Sequence, residues 1–285
     1  MKIIKRVVDI RKETETLRKD GKIVGLVSTM GYFHDGHLSL MRRAKKECGK
    51  TVVSIFVNPA QFGPGEDLKK YPRNFRRDCK LAEKEGVDYI FSPSAEEMYK
   101  PGYGTFVEVE TLSKIMCGRA RPGHFRGVCT VVLKLFNIVN PHRAYFGEKD
   151  YQQLVIIKKM VKDLNLNLEI KGCPIIREKD GLALSSRNKY LSGEERENAA
   201  ILNKCLETAR EMIGGGERNL EKVKGCILER LRKNRFIKKV DYFDFRNTAT
   251  LEEIKKIKKE QDKILAATAA WVGNTRLIDN KIIKV

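Results

Sequence analysis

Short apolar runs rich in β-branched residues alternate with longer amphipathic stretches through the first 174 residues, and that alternation leaves few folds open. "IVGLVSTM" and "TVVSIFVNP" read as buried strands, being brief, β-branched and bounded by turn residues. Between them, "GHLSLMRRAKKECGK" spaces Leu38, Met41 and Ala44 along one helical face and gathers Lys and Arg toward its end. The rhythm repeats. "YPRNFRRDCKLAEKEG" reads as a helix, "VDYIFSP" and "GTFVEVE" as strands, and "FRGVCTVVLKLFNIVNP" as a largely buried helix stopped by Pro141. "RAYFGEKD", "YQQLVIIKKMVKDLNL" and "NLEIKGCPII" continue as strand, helix and strand. Such a pattern predicts a Rossmann-like α/β domain over residues 1–174, with a doubly wound, mainly parallel sheet.

After residue 174 the pattern changes. "GEERENAAILNKCLETAREMI" and "NLEKVKGCILERLRK" read as two amphipathic helices joined by "GGGER", followed by short strands in "VDYFDFRN", "KILAATAAWVG" and "TRLIDNKIIKV". Residues 175–285 are therefore expected to form a second, smaller α+β domain.

Composition narrows the function classes. With 41% hydrophobic residues the chain is long enough to bury a sizeable core. No run approaches the roughly 18 apolar residues of a membrane span, and charges interrupt the N-terminal apolar residues too often for a signal peptide, so a soluble cytoplasmic protein is expected. The seven cysteines are scattered, odd in number and never spaced as CxxC, which suggests neither a disulfide framework nor a zinc ribbon. A formal charge of +20 first suggests nucleic acid. The basic residues, however, are interleaved with acids, as in "KKIKKEQDK". The better reading is a solvated Lys/Glu-rich surface that also concentrates anionic small substrates, with no nucleic acid and no membrane as partner.

"STMGYFHDGHLSL" carries two of the four histidines, His34 and His37, beside Gly31 and Gly36. It runs off a strand, through a turn, into a helix N-terminus, where free N–H groups and the positive dipole end favour a phosphate. Both rings can turn toward the same oxygens, while the glycines admit a bulky ligand close to the backbone. Zinc is a poor rival. The spacing is not that of H-E-x-x-H, and His124 and His142 are distant with no cysteine pair nearby.

This stretch resembles the HxGH signature of the nucleotidyltransferase superfamily that includes the class I aminoacyl-tRNA synthetases. "SIFVNPAQF", "YPR", "RPGHFRGV", "FGEKDYQQL", "DGLALSSRN" and "RLIDN" are similar in particular to the pantothenate synthetase (pantoate:β-alanine ligase) family. The likeness covers essentially the whole chain. "FGEKDYQQL" with "LSSRN" is far more specific than HxGH alone. Departures are small: members usually carry Pro at Ser28 and small or aliphatic residues at Tyr32 and Phe33.

The resemblance implies an ATP-dependent, AMP-forming condensation of pantoate with β-alanine through a pantoyl adenylate, by a homodimer using Mg²⁺ bound mainly through the nucleotide. His34, His37 and Lys149 are the implied catalytic residues, with His37 as the family's proton donor. A pyrophosphate leaving group needs charge neutralisation more than a proton, so both rings read first as electrostatic stabilisers. ATP binding is implied for Met30, Gly31, His34, His37, Gly147, Glu148, Lys149, Asp150, Ile176, Leu184, Ser185, Ser186 and Arg187, the last three in a KMSKS-like loop on the second domain that would act as a lid. No metal site of protein ligands alone is expected, Asp150 being the one candidate contact. Gln61, Gln153 and Asn58 are implied for pantoate, since an amide donates and accepts while staying neutral. Gln61 and Tyr71 border the β-alanine position, with Arg121, His124 and Arg126 as weaker candidates there. An adenylyltransferase that stops at nucleotidyl transfer is an alternative, and would lack the paired glutamines.

Overall fold

The structure, a computed structural model, describes residues 1–285. Two compact units account for the chain: residues 1–148 with 156–174, and residues 149–155 with 175–285.

The first unit is built on six parallel strands: β1 (Lys2–Ile4), β2 (Val24–Thr29), β3 (Lys50–Ile55), β4 (Tyr89–Phe91), β5 (Arg143–Gly147) and β6 (Glu169–Cys173), in the spatial order β1-β4-β3-β2-β5-β6. Parallel strands need crossovers, and helices α1 (Val7–Lys19), α2 (Asp35–Glu47), α3 (Phe75–Lys84), α4 (Ala95–Met98), α5 (Cys117–Ala120), α6 (His124–Val139) and α7 (Tyr151–Asp163) lie between them in sequence. β2 and β3 are apolar on consecutive residues because helices cover both faces of such a sheet. Val27, Phe33, Met41, Ala44, Val53, Ile90 and Tyr145 form one core cluster between β2, α2 and their neighbours.

The chain runs outward from β2 through β3 to β4, then returns to place β5 on the other side of β2, with Leu26 beside Ala144 and Val27 beside Tyr145. The boundary between β2 and β5 is therefore the topological switch point. In open α/β sheets, ligands bind there, beyond the carboxyl ends of the strands.

The second unit packs α8 (Gly193–Ala199), α9 (Ile201–Gly214) and α10 (Leu220–Lys233) with an antiparallel sheet of β7 (Ile237–Arg246), β8 (Lys263–Val272) and β9 (Thr275–Lys284). Leu206, Leu231, Phe243, Phe245 and Ile264 are buried together in its core. Residues 149–155 belong with this unit: Tyr151 Oη donates to the Thr248 carbonyl at 3.1 Å. No helix is long and apolar enough to cross a membrane.

Three expectations differ from the structure. "GTFVEVE" is not a strand: the Val107 N–H donates to Thr130 Oγ1 on α6 instead of a neighbouring strand, and the exposed Phe106 lies under the Arg126 guanidinium at 3.8 Å. The first helix after residue 174 is two, interrupted at Ala200, whose N–H turns to the Asn198 carbonyl with no Pro or Gly to announce the break. The last three strands are ten residues each rather than short. The cysteines are all free and five of the seven are buried.

At the amino end of the sheet, Asp88 bonds Lys50 Nζ at 2.9 Å, Lys45 Nζ at 3.0 Å and the Thr51 N–H at 3.0 Å. Burial pushes this carboxyl up, but the bonds from Lys50, Thr51 and Lys45 outweigh it and hold it below the usual carboxylate range. A depressed carboxylate contributes stability that is present above its unfolded pKa and lost as pH falls through its folded one. Asp88→Asn should thus cost about 1–3 kcal/mol at pH 7 in urea unfolding, and the gap to the parent should close as pH drops below the ordinary aspartate range.

Candidate active site

At the carboxyl end of β2 the backbone turns through Gly31 at φ 83° and Tyr32 at φ 53°, both left-handed. Glycine adopts that region without penalty, but tyrosine needs support. Asp78 on α3 supplies it. One carboxylate oxygen accepts the Tyr32 N–H at 2.7 Å and the other the Phe33 N–H at 2.8 Å, while Arg77 Nη1 donates to the Phe33 carbonyl at 3.0 Å. The Asp78 side chain is 1% exposed; burial pushes its carboxyl above its ordinary value and the two backbone bonds hold it back. Arg77 also sits over the Tyr32 ring at 5.4 Å, and Phe33 is buried in the core, so the departures at these two positions are absorbed by packing.

His34 then caps α2. Its Nδ1 accepts from the Gly36 N–H at 3.2 Å, while His37 Nδ1 accepts from the His34 N–H at 3.4 Å, a reciprocal capping arrangement made by two imidazoles. A nitrogen that accepts from a backbone N–H carries no proton. Each neutral ring therefore carries its proton on Nε2, as a donor. The rings are half-buried with centroids 4.1 Å apart. Two donors thus stand at a helix N-terminus, beyond the carboxyl end of β2, at the switch point.

Beyond β3, Asn58 caps the 3-10 turn Pro59–Gln61. Its Oδ1 accepts from the Ala60 N–H at 3.3 Å and from Tyr99 Oη at 2.7 Å, and its Nδ2 donates to the Gly127 carbonyl at 3.1 Å. These partners leave one orientation for the Asn58 amide, so the Gln61 atom 3.1 Å from Nδ2 is Oε1 and the Gln61 Nε2 points to Met30 Sδ, 3.2 Å away. Gln61 offers its donor on that side. Burial pushes the Tyr99 hydroxyl above the usual tyrosine value, which keeps it a donor to Asn58. Tyr71 is buried edge-on to Phe62, with ring centroids 6.0 Å apart.

Arg121 is committed to Glu66, its Nε bonding one carboxylate oxygen at 2.8 Å and its Nη2 the other at 2.5 Å. Burial pushes the Glu66 carboxyl up, and the Arg121 guanidinium outweighs it and holds it below its ordinary value. His124 Nδ1 bonds the Gln61 carbonyl at 2.8 Å and its Nε2 faces Arg121 Nη1 at 3.0 Å. Arg121 and His124 thereby brace the segment around Gln61, while Arg126 packs on Phe106.

β5 ends at Gly147, and Glu148–Asp150 form a 3-10 turn into α7. Lys149, one-fifth exposed, lies 3.8 Å from the half-exposed Asp150. Gln153 is half-buried on α7. In the second unit the Leu184 N–H donates to the Ile176 carbonyl at 3.0 Å, which brings those two residues together ahead of the 3-10 turn Ser186–Tyr190. Ser185 caps that turn by accepting from the Arg187 N–H at 3.3 Å; Ser186 is buried and Arg187 half-buried. No group of three or more His, Cys, Asp or Glu side chains converges as a metal site would require.

The family model described as pantoate-beta-alanine ligase matches residues 2–282. The chain belongs to the pantoate–β-alanine ligase family. It is an ATP-dependent carbon–nitrogen ligase that condenses pantoate with β-alanine. A pantothenate synthetase of Caldicellulosiruptor saccharolyticus is 54% identical over 285 residues, covering all of both chains, and one of Thermotoga petrophila is 56% identical over 99% of this chain and all of its own. Among solved structures, the pantothenate synthetase of Thermus thermophilus superposes with a TM-score of 0.91 at 44% identity, covering 99% of each chain. The Francisella tularensis ligase, solved with β,γ-ATP and β-alanine, gives 0.78 at 36% identity over 99% of this chain and 97% of that one. The two sheets bear out the fold class that the sequence pattern implies, α/β with a second α+β part, although one strand of the first sheet differs from those expected. Asp78, Arg77 and Tyr99 were not singled out in the sequence. "YPR" ends five residues before Asp78, and nothing in the spacing ties that carboxylate to a turn 45 positions upstream.

Proposed function

We propose that His34 and His37 hold the phosphates of ATP through their Nε2–H groups, and that Lys149, Ser185, Ser186 and Arg187 supply the remaining donors and cations. The observation that carries this is the reciprocal Nδ1 capping at α2, which fixes both rings as donors before any ligand arrives. Met30, Gly31, Gly147, Glu148, Ile176 and Leu184 contribute backbone and apolar contacts to the nucleotide.

In the first stage a pantoate carboxylate oxygen bonds to the α-phosphorus and the bond to the bridging oxygen breaks, releasing pyrophosphate. Negative charge grows on the α-phosphoryl oxygens and the leaving group, and preformed donors stabilise it without reorganising. Two donor rings at a helix N-terminus meet that need without a proton leaving either ring. In the second stage the neutral amine of β-alanine adds to the acyl carbon of pantoyl adenylate, AMP departs with the C–O bond electrons, and the proton that the nitrogen sheds passes to solvent. An unactivated carboxylate does not form an amide at useful rates in water, so the intermediate must be held away from hydrolysis.

Gln61, Gln153 and Asn58 take pantoate in this reading. Gln61 presents Nε2–H and therefore suits an acceptor oxygen of pantoate. Tyr71 with Gln61 borders β-alanine. Gln61→Ala should raise the pantoate KM about tenfold or more, with the ATP KM little changed; an unchanged pantoate KM removes Gln61 from that role. Mg²⁺ would be held through the nucleotide, with Asp150 as the carboxylate available to it, and would neutralise phosphate charge. The Asp150 carboxylate is half-exposed and offers the hard oxygen donor that Mg²⁺ takes. A homodimer in the cytoplasm, with small molecules alone as substrates, completes the reading.

Pantoate-dependent ATP–pyrophosphate exchange without β-alanine tests it. Exchange indifferent to pantoate would sink the adenylate mechanism.

A further inference from the structure

"RLIDN", one of the stretches similar to the family, has no part in the mechanism above. We infer that Asp279 and Asn280 of β9 are positioning residues, Asn280 for Lys149 and Asp279, through Arg177, for the loop that carries Ser185–Arg187. The inference rests on the roles given to Lys149 and Arg187 above.

Both side chains are buried on consecutive positions, where the rest of the strand largely alternates. Neighbouring residues of a strand face opposite ways, so one strand reaches two segments at once. Asn280 Nδ2 donates to the Lys149 carbonyl at 2.9 Å, and because a carbonyl only accepts, the amide orientation is settled. That bond fixes the backbone from which the Lys149 stem starts. Asp279 takes the Arg177 guanidinium in a fork, Nη1 to Oδ2 at 2.7 Å and Nη2 to Oδ1 at 2.8 Å. The same guanidinium bonds the Gly181 carbonyl at 2.9 Å and the Asn280 carbonyl at 3.2 Å. Arg177 pairs with Ala183 across the hairpin, and Asn188 Nδ2 donates to the Ala183 carbonyl at 3.1 Å, carrying the restraint into the Ser186–Tyr190 turn. The Asn280 N–H bonds Asp279 Oδ1 at 2.7 Å and locks the pair together.

A buried carboxylate and a buried amide are costly unless fully paired, and apolar residues would fill a sheet position at no such cost. Here every named partner leads to a segment that handles phosphate. An ångström of misplacement in such a segment costs rate even when folding is intact.

The test is a pair of double-mutant cycles read by pantoate-dependent pyrophosphate exchange, ATP Kd and Tm. Asn280→Ala should lower the exchange kcat about 10- to 30-fold with the pantoate KM unchanged, and should add less than about twofold in a Lys149→Ala background. Asp279→Asn should behave likewise against Arg187→Ala. Asn280→Ser, which keeps a shorter donor, should recover part of the kcat, and it serves in place of Asn280→Ala should that variant fail to fold. Full multiplicative losses in both backgrounds, or an unchanged kcat, overturn the inference while leaving the role of Lys149 standing. A Lys149→Ala enzyme with normal exchange overturns the role of Lys149 itself, and the inference with it.

Discussion

Lys149→Ala should cut pantoate-dependent pyrophosphate exchange about a thousandfold while leaving Tm within a few degrees of the parent. Its ionic neighbour, Asp150, is half-exposed and 3.8 Å away, so removing the lysine breaks no buried pair. The loss falls on the chemistry. Charge on the phosphate groups rises between ground and transition state, and a fixed ammonium stabilises the second more than the first, so kcat should fall more than the affinity for ATP. A change of only a few fold in kcat would take Lys149 out of the catalytic set.

Gly127→Ala should do the reverse, costing about 3 kcal/mol of stability and disabling pantoate use through a residue that carries no chemistry. A Cβ at Gly127 would stand 2.1 Å from the Ala60 carbonyl oxygen and 2.6 Å from Gln61 Cα, and these are backbone atoms that cannot swing aside. The turn Pro59–Gln61 must lift off α6, which pulls the Gly127 carbonyl from Asn58 Nδ2 and frees the Gln61 amide to rotate. Urea unfolding and a pantoate titration at low temperature separate the two losses. A pantoate KM within twofold of the parent would show that Gln61 does not depend on that close approach.

The parallel sheet was legible because burial on both faces writes itself into consecutive apolar residues, as in β2 and β3. The placement of His34 and His37 followed from the same logic, since a turn after a buried strand must open at the carboxyl end. β1 escaped notice: three residues, Lys2–Ile4, are too few to show a period, and they form a strand because β4 pairs with them. "GTFVEVE" alternates as a strand should, yet alternation registers half-burial and not the presence of a strand partner. The polar scaffolding was the least legible part. Asp78, Tyr99 and Asn280 act over 45, 41 and 131 residues of chain, and a hydrogen bond across such separations leaves no local spacing to read.

Charge pairs crowd the amino edge of the sheet: Asp88 with Lys45 and Lys50 ahead of β4, and Arg143 with Glu169 where β5 and β6 begin. The turns proposed to hold phosphate follow the opposite ends of β2 and β5. Substitutions that harden the molecule against heat or acid can therefore accumulate at the amino edge without touching the proposed site, whereas at the carboxyl edge close approaches such as that of Gly127 to Ala60 tie folding to substrate use. For this chain, durability is adjustable apart from chemistry at one edge only.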